Sequence, residues 1–295
     1  MANHPTFQPD PTLYPFKSRW LDASCGRVHY VDEGEGAPLL FLHGNATWSF
    51  LWRDVIVALR PRFRCLAVDF PGFGLSDHPE EQRPTPADHA DVVNELVDGL
   101  DLKNLTIVGH DWGGPIGMRV ALDQRDRLRA LVMSNTWYWP ADRWHMRAYS
   151  RLWDSDPMQA MIVKRNWLVE RLLPSGTRTH PTEAVMDHYR RALPTPESRS
   201  CAAALPGQMV RSSFWLGEIA HAAPRMLRDV PLLLAWGVHD LAFPPGFMDR
   251  FRRDFAQVTV ERLDAGHYAQ EDAAGPMADA IGRFLTEAPA ERSAA

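Results

Sequence analysis

Asp111 stands at the centre of a short glycine-rich turn that follows an apolar run. The turn reads Gly109-His110-Asp111-Trp112-Gly113-Gly114 and comes directly after Leu105-Thr106-Ile107-Val108. The pattern glycine, any residue, nucleophile, any residue, glycine is typical of a sharp strand-to-helix turn that holds a nucleophile at the edge of a sheet. A carboxylate at that position is ionised at neutral pH. It favours displacement of a leaving group from an sp3 carbon, which leaves an alkyl ester on the protein.

Two later residues supply the acid and the base that such a nucleophile requires. Asp240 and His267 each follow an apolar run in the last third of the chain. Enzymes built on this turn carry nucleophile, acid and histidine in that chain order. We therefore expect His267 to act as a general base and Asp240 to orient its imidazole. His110 and His239 lie beside the same turns, and we interpret both as structural residues.

Hydrogen-bond donors for a developing anion are predicted at Asn45 and Trp112. Asn45 belongs to His43-Gly44-Asn45-Ala46-Thr47-Trp48, which follows an early apolar run, and Trp112 follows the nucleophile. These positions match the two backbone N–H groups of an oxyanion hole. The Asn45 amide and the Trp112 indole are also neutral side-chain donors. Directed at one point, they would bind a departing anion that needs no proton.

These residues require a framework that brings the ends of several strands together. Apolar runs alternate with helical patterns along the first half of the chain, which predicts an α/β fold with a mostly parallel, doubly wound sheet. The predicted strands are 27–31 (an exposed edge strand), 39–42, 65–68, 105–108, 128–134, 230–237 and 258–263. The predicted helices are 50–59, 87–100, 115–122 and 277–285.

The alternation stops between about residues 135 and 215, where helical patterns are interrupted by prolines. We predict an α/β-hydrolase core of residues 1–135 and 216–295, with a helical cap of residues 136–215 inserted late in the sheet. Tryptophan is a common anchor where two units pack, so most cap tryptophans are expected to pack and some to line a cavity above Asp111. They are Trp137, Trp139, Trp144, Trp153, Trp167 and Trp215.

Composition excludes several classes of function. The 295 residues carry a formal net charge of −5 and no Lys/Arg block, which argues against a nucleic-acid partner. We find no signal peptide and no apolar run long enough to span a membrane, and we predict a cytoplasmic protein. Cys25, Cys65 and Cys201 are far apart and predict reduced thiols. No metal-ligand spacing is present, so we expect neither metal nor cofactor.

The two glycine-bearing motifs together resemble those of the haloalkane dehalogenases, and the resemblance extends over nearly the whole chain. Asp240 as the triad acid, with Asn45 and Trp112 as the halide pair, is most similar to the third subfamily, whereas another subfamily has Glu at the position of Asn135. The resemblance implies a halogenated alkane as substrate, a halide ion as product, an ester on Asp111 and a possible self-association.

One residue departs from that family. Where its members usually have proline preceded by a cis peptide bond, this chain has Ala46. A cis bond costs about 2.5–4 kcal/mol before residues other than proline. Either the Asn45-Ala46 peptide is cis, or it is trans and shifts Asn45, which affects the halide contact and one oxyanion donor.

Three other functions fit the same residues. An epoxide hydrolase uses the same aspartate turn, with tyrosines that protonate the leaving oxygen, and Tyr138, Tyr149 and Tyr189 are available. A β-lactone decarboxylase of hydrocarbon biosynthesis resembles the third subfamily and shares its Asp-His-Asp triad. A protein of this fold that binds a ligand without turning it over is the third alternative. The Asn45 and Trp112 pair favours the dehalogenase over the epoxide hydrolase, whereas the motifs do not separate the dehalogenase from the β-lactone decarboxylase.

Overall fold

A single sheet forms the centre of the molecule. The computed structural model describes residues 7–78, 83–142 and 144–287 of the chain. Within these residues the sheet has eight strands. They are β1 (Arg19–Ala23), β2 (Gly26–Glu33), β3 (Pro38–Leu42), β4 (Arg64–Val68), β5 (Leu105–Asp111), β6 (Leu128–Thr136), β7 (Leu232–Gly237) and β8 (Val258–Leu263).

The sheet is mostly parallel, which confirms the predicted fold class. Its strand order is β1-β2-β4-β3-β5-β6-β7-β8. β2 pairs antiparallel with β1 and with β4, while every pair from β4 to β8 is parallel. Parallel strands end at the same edge of a sheet, and ligands bind at that edge in open α/β folds. The turns after β3, β5, β7 and β8 therefore lie on one side of the molecule.

Helices cover both faces of the sheet and form a separate group between β6 and β7. They are α1 (Arg53–Leu59), α2 (Pro86–Gly99), α3 (Gly113–Asp123), α4 (Trp144–Trp153), α5 (Asp156–Arg165), α6 (Leu173–Ser175), α7 (Glu183–Ala192), α8 (Ser200–Arg211), α9 (Ser213–Met226), α10 (Met248–Asp254), α11 (Ala269–Asp272) and α12 (Ala274–Glu287). A 3₁₀ turn (Ser49–Trp52) precedes α1, and a π-helical turn (Leu168–Leu172) precedes α6.

Local sequence explains why these elements form where they do. β3 is buried along its whole length, as expected of a strand covered by helices on both faces. α2 begins after Thr85, whose hydroxyl accepts from the backbone N–H of Asp88 while the Asp88 carboxylate accepts from that of Thr85. This capping box, with Pro86 at the first helical position, satisfies N–H groups that would otherwise lack partners.

The edge strand predicted at residues 27–31 is an inner strand, and that prediction was wrong. β1 pairs with β2 along its outer side, from Arg19 opposite Tyr30 to Ala23 opposite Gly26. β1 was missed because its sequence, RWLDA, is largely exposed and lacks the apolar run of a buried strand. Helices α10 and α11 were also missed; they have seven and four residues, too few for a clear helical period.

The helices α4 to α8, here named the inserted helices, follow β6 and lie over the carboxyl edge of the sheet. α4 packs on α8 and α5, whereas α9 packs on α3 beside the sheet. The division into a core of 1–135 and 216–295 and a cap of 136–215 stays a prediction. Among the described residues, no helix has the length and apolar character needed to cross a bilayer.

Candidate active site

The turn after β5 holds Asp111 in a left-handed backbone conformation, with φ of +50°. Two glycines make this turn possible. A Cβ on Gly113 would lie 2.2 Å from the carbonyl oxygen of Leu42, and one on Gly109 would lie 2.6 Å from that of Gly113. The hydroxyl of Thr136 donates to the Asp111 carbonyl oxygen at 2.5 Å. The packing around the turn thus holds a conformation that a non-glycine residue adopts rarely.

The Asp111 carboxylate faces a pair of backbone donors. Its Oδ1 accepts from the backbone N–H of Asn45 at 2.8 Å. Burial raises the pKa of the Asp111 carboxyl, and the neighbouring His267 and the N–H groups of Asn45 and Trp112 lower it; the net shift is upward. The backbone N–H groups of Asn45 and Trp112 thus both act on this carboxylate, and their role as donors to an oxyanion stays a prediction.

His267 lies between the two carboxylates of the predicted triad. Its Nδ1 is 2.9 Å from Oδ2 of Asp240, and its Nε2 is 3.8 Å from Oδ2 of Asp111. Burial by itself lowers the pKa of His267, but the Asp240 carboxylate, its hydrogen bond and the Asp111 charge raise it above the ordinary value. Because Asp240 occupies Nδ1, Nε2 is the atom directed at the nucleophile.

Asn135 supports Asp240, a role that the sequence did not reveal. Its Nδ2 donates to Asp240 Oδ2 at 2.9 Å and to the Gly237 carbonyl at 3.0 Å, and its Oδ1 accepts from the Gly237 N–H at 2.8 Å. The Ala242 N–H donates to the other Asp240 oxygen at 2.7 Å. Burial raises the pKa of Asp240, whereas His267, the backbone N–H of Phe243 and the Asn135 amide lower it, and the net shift is downward. The available signal was the place of Asn135 directly after the predicted strand 128–134.

The two other histidines near the site have different surroundings. His110 is fully buried, and its Nε2 donates to the carbonyl oxygen of His267 at 2.9 Å. Burial lowers the pKa of His110 well below its ordinary value, so it is neutral. His239 lies at the cavity, half exposed, with Nε2 2.8 Å from Oδ1 of Asp264.

An apolar cavity of about 530 Å³ lies above Asp111, between the carboxyl edge of the sheet and the inserted helices. Asp111, Asn45, Trp112 and His267 all line it. Its other lining side chains are mostly apolar and include Trp137, Met146, Leu168, Leu172, Pro206, Met209, Phe243 and Phe247. Of the six tryptophans predicted for the cap, Trp137 is the one found in this lining. Trp139 and Trp153 are buried elsewhere, and Trp144 is exposed.

The three tyrosines predicted as proton donors differ in their contacts. Tyr138 donates to Asp254 and Tyr189 donates to Glu271, and both side chains are buried away from the cavity lining. Tyr149 does line the cavity, and so does Tyr268, which the sequence analysis did not single out. Tyr268 directly follows His267, and that adjacency was the available signal.

The peptide between Asn45 and Ala46 is trans, since the described residues contain no cis peptide bond, and Ala46 has φ of +58°. The Asn45 side chain is turned toward the inserted helices, where Nδ2 donates to the Ala202 carbonyl at 3.0 Å. Its Oδ1 accepts from the Ala46 N–H at 2.8 Å. The shift predicted for a trans bond therefore affects the Asn45 side chain, while the backbone N–H stays on Asp111.

Known proteins match this chain over nearly its whole length. The sequence profile described as alpha/beta hydrolase fold matches residues 37–274. Haloalkane dehalogenase 2 of Mycobacterium tuberculosis is 49% identical over 277 residues, which are 93% of this chain and 97% of that protein. Cis-3-alkyl-4-alkyloxetan-2-one decarboxylase of Shewanella oneidensis is 32% identical over 301 residues, 94% of this chain and 90% of that protein.

Solved structures show the same architecture. The crystal structure of the haloalkane dehalogenase DbeA from Bradyrhizobium elkani has a TM-score of 0.84 and 26% sequence identity. The superposition covers 92% of this chain and 98% of that one.

Proposed function

This chain belongs to the haloalkane dehalogenase family of α/β hydrolases, and on that basis we propose that it hydrolyses a carbon–halogen bond through an ester on Asp111. One observation carries the proposal. The nucleophile position is a carboxylate whose Oδ1 is held by the Asn45 N–H at 2.8 Å, while Oδ2 lies 3.8 Å from His267 Nε2. Asp111 lines an apolar cavity. A carboxylate there attacks saturated carbon without prior deprotonation.

In the first step Oδ2 of Asp111 attacks the carbon that carries the halogen. The new C–O bond forms as the carbon–halogen bond breaks, and the electron pair leaves with the halide. The side-chain N–H groups of Asn45 and Trp112 stabilise the halide. The apolar walls of the cavity favour an uncharged alkyl halide and strengthen these electrostatic contacts by excluding water.

In the second step His267 takes a proton from water, and the resulting hydroxide attacks the carbonyl carbon of the Asp111 ester. Oδ1 becomes the oxyanion and rests on the backbone N–H groups of Asn45 and Trp112. Esterification has already removed the Asp111 charge, one of the groups that raise the pKa of His267. The histidine is therefore a neutral base more often in the ester than in the free protein. Collapse of this intermediate breaks the bond between the Asp111 carbonyl carbon and Oδ2, and His267 returns its proton to the leaving alkoxide. The new carboxyl group loses one proton as the alcohol and the halide leave.

The substrate and the product of this reaction are also part of the proposal. We propose a halogenated alkane as the substrate and the halide ion as the product held by Asn45 and Trp112. The lining of the cavity by apolar side chains supports an apolar substrate. A location in the cytoplasm, the absence of a nucleic-acid partner and self-association stay predictions.

Trapping the ester tests the proposal. In the His267→Gln variant the first step proceeds and the second lacks its base, so a brominated alkane should leave its alkyl mass on the peptide that contains Asp111. The measurement is mass spectrometry of a proteolytic digest, with bromide release followed in parallel. The Asp111→Asn variant is the matched control and should give neither adduct nor bromide. A wild-type protein that releases halide while His267→Gln carries no adduct would contradict the ester mechanism.

A β-lactone decarboxylase is the second candidate, because a decarboxylase whose name contains an oxetan-2-one is 32% identical to this chain. The phenols of Tyr149 and Tyr268 in the cavity also suit a leaving oxygen, as in an epoxide or a lactone. Parallel incubation of the wild-type protein with brominated alkanes, an epoxide and a long-chain β-lactone separates these functions. Higher kcat/KM for the lactone, abolished in Asp111→Asn, would replace the dehalogenase assignment. Turnover of any of them excludes a purely ligand-binding protein.

A further inference from the structure

Pro206 interrupts the hydrogen bonds of α8 at the point where this helix meets the site. It lies inside the helix and lines the cavity. In an α-helix each N–H donates to the carbonyl four residues earlier, and proline has no N–H. The carbonyl of Ala202 therefore has no donor within its own helix. Ala202 is 1% exposed, and a buried carbonyl without a donor is costly.

Asn45 supplies the missing donor from the other side of the cavity. Its Nδ2 is 3.0 Å from the Ala202 carbonyl oxygen. Its Oδ1 simultaneously accepts from the Ala46 N–H at 2.8 Å. The two contacts agree on which end of the amide is nitrogen, and together they determine its orientation. An amide nitrogen carries two hydrogens, so one N–H remains after the bond to Ala202.

We propose that Pro206 is a positioning residue for halide release. By leaving the Ala202 carbonyl without a helical donor, it holds the Asn45 amide in one orientation, with its second N–H available to the leaving halide. The proposal rests on the proposed function, in which Asn45 binds the halide. It also explains how the chain retains a halide donor at Asn45 although the following peptide is trans and Ala46 replaces proline.

Replacing Pro206 by alanine restores the competing donor. In Pro206→Ala the new N–H at position 206 bonds to the Ala202 carbonyl, and the Asn45 amide loses its partner. Since a neutral hydrogen bond changes affinities by a few-fold, we expect the inhibition constant of bromide to rise about three- to tenfold. The melting temperature should stay equal or rise, because proline inside a helix is unfavourable. Pro206→Val supplies the same N–H with another side chain and should behave alike.

Pro224 provides a matched control, because it also lies inside a helix, α9, and is not part of the cavity lining. Pro224→Ala should leave the bromide constant unchanged. In the Asn45→Ala background, Pro206→Ala should have no further effect on bromide, since no amide remains to be positioned. Hydrogen exchange shows directly whether the new helical hydrogen bond forms. The amide at position 206 should be protected from exchange in Pro206→Ala.

Three results would overturn the proposal: bromide inhibition in Pro206→Ala equal to wild type, an equal effect of Pro206→Ala with and without the Asn45 amide, or rapid exchange of the amide at position 206. Failure of the proposed function has a different signature. In that case the wild-type protein releases no halide from brominated alkanes, or Asn45→Ala binds bromide as wild type does. One further outcome contradicts only the positioning role of Pro206. In it, the protein releases halide and its inhibition constant for bromide depends on Asn45, but Pro206→Ala leaves that constant unchanged.

Discussion

The proposed chemistry depends on one carboxylate and on the two different neighbours of its oxygens. Oδ1 of Asp111 is held by the Asn45 N–H, while Oδ2 faces His267 Nε2 at 3.8 Å. The contact at Oδ1 prepares that oxygen for the negative charge of a tetrahedral intermediate. Oδ2 lies on the side of the imidazole, and in the proposed mechanism it is the nucleophilic oxygen. The asymmetry allows one side chain to serve as nucleophile and then as the site of hydrolysis.

The raised pKa of Asp111 predicts how the rate of the first step falls at low pH. Only the ionised carboxylate attacks, so the rate of ester formation falls as the pH drops through the pKa of Asp111. Burial shifts that pKa upward from 3.8, and single-turnover ester formation should therefore have an acid midpoint above 3.8. In His267→Gln one of the groups that lower this pKa is absent, and the midpoint should move further up. A midpoint at or below 3.8 in both proteins would contradict the assignment.

At the scale of the elements, the site is assembled from turns at the ends of neighbouring strands. β6 and β7 are paired in the sheet, and this pairing brings Asn135, directly before the end of β6, to the loop after β7 that carries Asp240. The Asn135 amide binds Asp240 and both polar groups of the Gly237 backbone. The orientation of Asp240, the proposed triad acid, is thus controlled by an adjacent strand.

Replacing Asn135 by alanine should therefore affect both stability and one catalytic step. Asp240 loses a donor and Gly237 two partners in a buried place, so we expect a loss of about 1–3 kcal/mol in the free energy of unfolding. Ester hydrolysis should slow more than ester formation, since Asp240 acts through His267. Urea unfolding and burst kinetics measure the two effects.

Asn104 offers the control for that variant. It has φ of +54°, close to the +43° of Asn135, and lies in the turn before β5. Asn104→Ala has the same backbone penalty without the contacts to the acid. If both variants lose equal stability and keep the ratio of the two rates, Asn135 does not position Asp240.

At the scale of the whole molecule, a buried ionic network connects the inserted helices to the helices beside the sheet. Arg53, at the start of α1, binds Glu271 of α11 with two hydrogen bonds of 2.6 and 2.7 Å. Tyr189 of α7 donates to the same carboxylate. Both charged side chains are 6% exposed. Glu271 lies four residues after His267, so the network joins the catalytic loop to the layer that covers the cavity.

Removing one charge of this network should be costly. Arg53→Met leaves the Glu271 carboxylate buried without its partner, and we expect a loss of about 3–5 kcal/mol in the free energy of unfolding. Arg283→Met is the comparison, because the Arg283 and Glu261 side chains are 59% and 38% exposed in their pair, and exposed pairs contribute about 0–1 kcal/mol. Urea denaturation of both variants is the measurement. Equal losses would mean that the buried network does not stabilise the assembly of the two layers.

The sequence by itself determined the turn at Asp111, the chain order of Asp111, Asp240 and His267, and most strands of the sheet. The physical reason is that these signals are local. A glycine-flanked nucleophile depends on close backbone approaches within a few residues, and a strand buried on both faces appears as an apolar run. The predicted strand 258–263 has the bounds of β8. β1, exposed and polar, carried no such signal.

Only the tertiary structure decided which side chains meet across the cavity. The contacts from Asn135 to Asp240, from Asn45 to Ala202 and from Tyr189 to Glu271 join residues 82 to 157 positions apart. Such contacts depend on how strands and inserted helices pack, and the residue types alone are compatible with many other partners. The same packing separated Tyr149, which faces the cavity, from Tyr138, which is buried against Asp254. Local chemistry thus predicted the reacting groups, and long-range packing decided their orientation.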